Sequence, residues 1–205
     1  MRFTLLFIIC FTTISFSFAQ APKDSAALAR RDSLRMAKML KVAIYPLIKE
    51  APLGGVIPIS NPDELPDPKL QYKLLMNFTQ PATSATKAKE INGALAEVAR
   101  IMNLHIAAGI PRPNLEVVVI AHSGALFSLL DDEHYQKKFK INNPNNKLVK
   151  ELQAAGVTFT VCGQAMKFLE IEKETLLPGI KLAYSAKTVI STYNLKGFIL
   201  TDVND

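Results

Sequence analysis

From Tyr72 onward, apolar residues occur in blocks that alternate between a strand-like and a helix-like period. The run "LEVVVIAH" at 115–122 is rich in β-branched residues, which is typical of a strand buried on both faces of a parallel sheet. Similar, shorter runs follow later in the chain. The pattern predicts five strands, at residues 72–78, 115–122, 157–163, 180–186 and 196–201.

Helices are predicted between these strands, because apolar residues recur there every three or four positions. The predicted helices cover residues 86–109, 124–139, 145–156 and 187–195, with short helical turns over 165–177. Strands that alternate with helices need crossover connections, which place helices on both faces of a parallel sheet. The predicted fold class is therefore α/β, a three-layer α/β/α sandwich with a five-stranded parallel sheet, in a domain over residues 70–205.

Residues 20–69 follow a different pattern. The stretch 24–41 has apolar residues at helical spacing with charges between them, which predicts an exposed amphipathic helix. Six prolines between residues 46 and 68 exclude a long helix there, whereas the apolar residues of 44–59 argue against a free linker. We expect an extended segment that lies on the domain surface or on a neighbouring subunit.

Residues 1–19 are typical of a secretory signal peptide. Arg2 is followed by a short apolar run, and the small residues Ser17 and Ala19 stand where a signal peptidase inspects the chain. We expect cleavage after Ala19 and export to the periplasm. A lipoprotein anchor at Cys10 fits less well, because the bulky Ile9 precedes it. No later segment is long and apolar enough to span a membrane.

The charges and motifs of the sequence argue against several classes of function. The chain has 24 Lys and Arg residues against 18 Asp and Glu residues, a net charge of +6. These charges alternate in sign along the predicted helices, which indicates a solvated surface and no nucleic-acid partner. The sequence has no CxxC, HxxxH or HExxH spacing and no glycine-rich phosphate loop, so neither a metal site nor a cofactor is expected.

Two reactive side chains stand at the ends of successive predicted strands. His122 ends the second strand and Cys162 ends the third, and ligand sites of parallel sheets lie at such carboxyl ends. Gly163 allows a close approach, and the amides of the following turn would favour a thiolate. Two alternatives stay open: Cys162 is a small buried apolar residue, or the His122 ring has no chemical role.

Ser123 follows His122 at the start of a predicted helix and is expected to be its N-cap. A serine hydrolase is disfavoured, because Ala121 stands where the nucleophile elbow requires glycine.

Three segments carry a family resemblance: "VVVIAHSGALFSLLDD", "NPNNKLVKELQAAGVTFTVCGQAM" and "LLPGIKLAYSAKTVISTYNLKGFILT". They resemble the DsrE-like family of sulfur-relay proteins, and in particular its exported members. The resemblance implies a homo-oligomer, a trimer or a hexamer, in which a cysteine at the position of Cys162 accepts sulfur as a persulfide and passes it to a partner. The partner would be a sulfur donor or acceptor protein or a small ligand.

On this resemblance, Cys162 and His122 are the expected catalytic residues. Four neighbours are expected to hold the sulfur or a ligand: Gly163, Gln164, Ser123 and Gly124. Two alternatives to a sulfur carrier remain open. The chain can be a non-catalytic, oligomeric ligand-binding or assembly module of the same fold, or Cys162 can form a disulfide between two subunits.

Overall fold

A computed structural model describes residues 24–81 and 86–204 of the chain. Within these residues, five strands form a single sheet in which every neighbouring pair is parallel, in the order β4-β3-β2-β1-β5. The strands are β1 (Tyr72–Phe78), β2 (Leu115–Ala121), β3 (Thr158–Cys162), β4 (Lys181–Ala183) and β5 (Ile199–Asp202). The five predicted strands all form, and the two edge strands β4 and β5 are shorter than predicted.

The described residues also form six α-helices: α1 (Asp24–Val42), α2 (Gly93–Ala107), α3 (Asp132–Phe139), α4 (Asn146–Ala154), α5 (Gly163–Phe168) and α6 (Ala186–Leu195). The single helix predicted over 124–139 is wrong. A 3₁₀ segment, Ser123–Leu129, precedes α3, and the chain between them is extended. There Asp131 donates its backbone N–H to Thr175, and its carboxylate caps α3 by accepting from the N–H of His134 at 2.8 Å.

The two faces of the sheet are covered unequally. The main face, which carries Leu74, Met76, Val117, Val119 and Phe159, packs against apolar residues of α2 and α4 in the larger core cluster. The opposite face, here called the α6 face, is built from Leu75, Val118, Ile120 and Cys162 with Ala186 and Phe198. Partly buried Val189, Ile190 and Tyr193 of α6 complete this smaller core. The predicted three-layer α/β/α sandwich is confirmed.

The proline-rich segment is fastened to the domain by Asn103 of α2. The side chain of Asn103 is fully buried and makes four hydrogen bonds to backbone atoms. Its Oδ1 accepts from the N–H groups of Leu47 and Ile48 at 3.0 and 2.9 Å, and its Nδ2 donates to the carbonyls of Ile48 and Gly54, both at 2.8 Å. Ile48 itself is completely buried. The segment therefore lies on its own domain, one of the two placements expected.

The helix predicted near the N-terminal end forms as α1, and its large apolar side chains, among them Leu28, Leu34 and Met39, are exposed. Along α1, Arg35 pairs with Asp32 at 3.6 Å. Across the described ranges, none of the helices has the length and apolar character needed to cross a bilayer. The predicted signal peptide, residues 1–19, lies outside the described residues.

Replacing Asn103 with alanine tests whether the proline-rich segment is part of the folded core. The substitution leaves the N–H groups of the buried Ile48 and the partly buried Leu47 without their acceptor, and such unpaired groups are costly. We expect the free energy of unfolding to fall by about 2–4 kcal/mol. Urea denaturation measures it, with Asn194→Ala on the exposed surface of α6 as the matched control. A loss no larger than that of the control would contradict the fastening role.

Candidate functional site

The parallel pairing of β1, β2 and β3 brings the predicted site residues to one edge of the sheet. Phe78 lies opposite Ala121, and Ala121 lies opposite Val161. One more residue along the same register places His122 beside Cys162, on adjacent strands that are about 4.8 Å apart. Because side chains alternate between the faces of a strand, His122 and Cys162 both belong to the α6 face.

A cavity of about 780 Å³ opens at this edge, between the strand ends, α5 and the beginning of α6. Five of the six predicted site residues line it: Cys162, His122, Ser123, Gly124 and Gln164. The other lining residues are Asn77, Ala165, Phe168, Leu169, Ser185, Ala186, Lys187 and Ile190. Its size falls within the range of small-molecule sites, which is roughly 300–1,000 Å³.

Cys162 lines this cavity. It is a free cysteine with only 6% of its surface exposed, and it packs with Leu75, Val118 and Ile120 in the smaller core. It is also the residue immediately before α5, so its backbone is extended and helical amides begin at Gly163. Both sequence-based interpretations of this thiol therefore describe part of its setting: it is buried by protein, and it borders a space large enough for a ligand.

The ring of His122 is held by two side-chain hydrogen bonds. Its Nε2 lies 2.9 Å from Oδ1 of Asn77, and its Nδ1 lies 3.3 Å from the hydroxyl of Ser123. Since the Asn77 oxygen can only accept, Nε2 carries the proton, and Nδ1 is left to accept from Ser123. Burial lowers the pKa of the His122 imidazole, so the neutral ring is favoured at neutral pH. Cys162 is not a hydrogen-bond partner of this ring in the described structure.

Ser123 has an uncommon backbone conformation. Its φ of +57° lies in the left-handed region, which residues other than glycine seldom adopt. The predicted N-cap role is wrong: His122 occupies the cap position, and the exposed Ser123 hydroxyl turns back to the His122 ring. Next to it, a Cβ added at Gly124 would lie 2.5 Å from the Cβ of Pro81, so glycine is needed for the turn to pack.

Gly163 does not line the larger cavity. It lines a second, smaller cavity of about 450 Å³ beside β4, together with Leu182 and Tyr184. A Cβ at this position would lie 2.8 Å from the carbonyl oxygen of Ala183, so Gly163 permits the close packing of β3 and α5 against β4. Gln164 borders both cavities, and its side-chain amide lies 3.4 Å from the carbonyl of Tyr184.

Sequence reasoning missed three polar residues of the larger cavity, Asn77, Ser185 and Lys187. Asn77 lies near the end of β1 on the α6 face. When the order of the strands is known, the alternation of side chains along β1 identifies Asn77 as a neighbour of His122. Lys187 lies in the first turn of α6, after an N-cap formed by Ser185. No cluster of three or more potential metal-ligating His, Cys, Asp or Glu side chains occurs among residues 24–81 and 86–204.

Comparison with known proteins gives a family and a set of similar folds. The profile of the DsrE/DsrF-like family matches residues 73–201. Among solved structures, a protein of unknown function from Methanobacterium thermoautotrophicum, MTH1491, is 17% identical, with a TM-score of 0.48 over 64% of this chain and 98% of the other. The YchN protein from E. coli is 16% identical, with a TM-score of 0.43 over the same shares. No protein with a curated description matches the sequence.

Acidification tests the buried state of His122. The pKa of His122 is lower in the folded chain than its unfolded-state value of about 6.5. As the pH falls through that value, the unfolded chain therefore binds this proton more readily than the folded chain does. The stability contributed by the neutral ring is therefore present above that pH and lost as the pH falls through it. We expect the free energy of unfolding to fall between about pH 7.5 and about pH 5, and to fall less in His122→Gln. Identical slopes for the two proteins in urea titrations would contradict this assignment.

Proposed function

This chain belongs to the DsrE/DsrF-like family, and we propose that it is a sulfur-relay protein that carries sulfur as a persulfide on Cys162. Family membership supports the coarser part of this statement, a role of the sulfur-relay type. The observation that supports the finer part is the position of Cys162, a free thiol that lines a cavity of about 780 Å³ at the carboxyl edge of the sheet.

The cysteine content suits a carrier. The sequence has two cysteines, and the other one, Cys10, lies within the predicted signal peptide. A mature chain without a second thiol cannot resolve a persulfide into an internal disulfide, so the bound sulfur persists until an external acceptor removes it.

The transfer step is a displacement at sulfur. The Cys162 thiolate attacks the outer sulfur of a donor such as thiosulfate, a sulfur–sulfur bond to Cys162 forms, and the donor's own sulfur–sulfur bond breaks. Sulfite leaves with the electron pair of that bond, and the thiol proton passes to solvent. No external oxidant or reductant is consumed.

The polar residues of the cavity support this step by holding groups in place. The neutral His122, fixed by Asn77, orients the Ser123 hydroxyl at the cavity wall. Gln164, in the first turn of α5, contributes a further side-chain amide to the lining. In this proposal His122 acts as a positioning residue for Ser123 rather than as a cation beside the thiolate, because burial disfavours its charged form.

Mass spectrometry of the intact mature protein tests the proposal. After exposure to thiosulfate, we expect a gain of about 32 mass units, one sulfur atom, that a reductant reverses. The gain should be absent in Cys162→Ser, which keeps the size of the side chain nearly unchanged. Circular dichroism of this variant should match the wild type, so that a missing adduct reports the loss of the thiol and not of the fold.

Failure of the wild-type protein to gain sulfur, together with slow alkylation of Cys162, would contradict the carrier function. The same cavity would then favour the alternative, a non-catalytic ligand-binding or assembly module in which the buried thiol contributes only to packing. Its exposed fraction of 6% is the observation behind that alternative.

We further propose export to the periplasm and assembly into a trimer or hexamer. The first is supported by the leader sequence, and the second by large apolar side chains exposed at the β5 edge, where Leu195 is 90% exposed and Ile199 and Leu200 are also accessible. The native mass of the protein recovered from the periplasm tests both. We expect three or six copies of a chain that begins at Gln20, and a monomer or an uncleaved chain would contradict the respective part.

A further inference from the structure

The cavity beside Cys162 is much larger than an inorganic sulfur donor. Thiosulfate has five heavy atoms and occupies the space of a few water molecules, at about 30 Å³ each. The cavity, at about 780 Å³, would remain mostly filled with water around it. A site of this volume instead matches an organic molecule.

The wall of the cavity is largely carbon. Five of its lining residues are apolar: Ala165, Phe168, Leu169, Ala186 and Ile190. Phe168 is 86% exposed, an unusual state for a phenyl ring that borders a cavity. Apolar surface of this kind gives no binding energy to an inorganic anion, but it is removed from water when a ligand with a carbon skeleton binds.

The charge of the lining is positive. Lys187 is the one formally charged residue that lines the cavity within the described part of the chain, and no carboxylate joins it there. The described ion pairs do not include Lys187. With His122 neutral, the ammonium of Lys187 is left to pair with an acidic group brought by the ligand.

We propose that the sulfur donor for Cys162 is a low-molecular-weight organic persulfide that carries a carboxylate, bound in this cavity with its carboxylate near Lys187. This inference rests on the proposed carrier function and names its substrate class. The Cys162 thiolate attacks the outer sulfur of R–S–SH, a bond to that sulfur forms, and the R–S bond to it breaks. The R–S⁻ group leaves with the electron pair and takes up a proton, so atoms and electrons balance without a further reagent.

Two matched probes test the substrate class. Glutathione persulfide carries two carboxylates, and the persulfide of glutathione diethyl ester has the same reactive group without them. The measurement is the initial rate at which the protein gains about 32 mass units, as a function of probe concentration. We expect the rate to saturate with the acid, because the donor binds before it reacts, and to be about two- to five-fold higher with the acid than with the ester at low concentration.

Variants assign the effect to the cavity. Lys187→Gln should abolish the preference for the acid over the ester, whereas Lys196→Gln at the other end of α6 should retain it. Phe168→Ala should lower the rate with both probes, by about tenfold, through the loss of apolar contact. Since Lys187 and Phe168 are both exposed, these changes leave the folded core intact.

The outcomes separate this inference from the proposed function. Sulfur uptake that rises linearly with both probes, or that is equal for acid and ester, would overturn the inference, while an adduct from thiosulfate would still support a carrier. Absence of an adduct from every donor would remove the carrier function itself, and the inference with it.

Discussion

The parallel pairing of β2 with β1 on one side and β3 on the other is the constraint on which the site depends. Parallel strands end at the same edge, so the residues that follow them meet there although they are distant in the sequence. The register carries Asn77, His122 and Cys162 onto one face, and the contact between His122 and Asn77 at 2.9 Å is its direct result. A shift of either pairing by one residue would send its side chains to the other face.

The cavity itself depends on how unequally the two faces are covered. On the main face, α2 and α4 bury the sheet in the larger core, and the proline-rich segment is fastened over α2 by Asn103. On the α6 face, the chain leaves the edge strand β4, forms α6, which packs against β2 and β5, and then enters β5 at the opposite edge. One helix that crosses a sheet in this way leaves the strand ends beside its first turn uncovered, and the cavity occupies that place.

The thiol of Cys162 is buried by protein on one side and borders the cavity on the other. Cys162 packs into the smaller core, which fixes its position, and borders the cavity, which gives a reagent a route to it. The neighbouring groups are equally restrained: His122 is held by Asn77 and Ser123, and Ser123 keeps a left-handed backbone that glycine would adopt at lower cost. Such a local departure from the easiest conformation is a feature that functional sites often retain.

The sequence by itself determined where the strands and most of the helices lie, and which residues of each strand share a face of the sheet. Continuous apolar runs and helical spacing located the five strands and most helices, and strand-end positions identified Cys162 and His122, because these signals are local in the chain. The tertiary structure alone decided the strand order, in which β5 returns to pair with β1, and with it the presence of Asn77 and Lys187 in the cavity. It also decided the break before α3, where contacts with residues 175–177 outweigh helical periodicity. The neutral state of His122 and the packing of Gly163 against β4 also depend on the tertiary structure. Burial of the first and the close approach to the second are set by groups that are distant in the sequence.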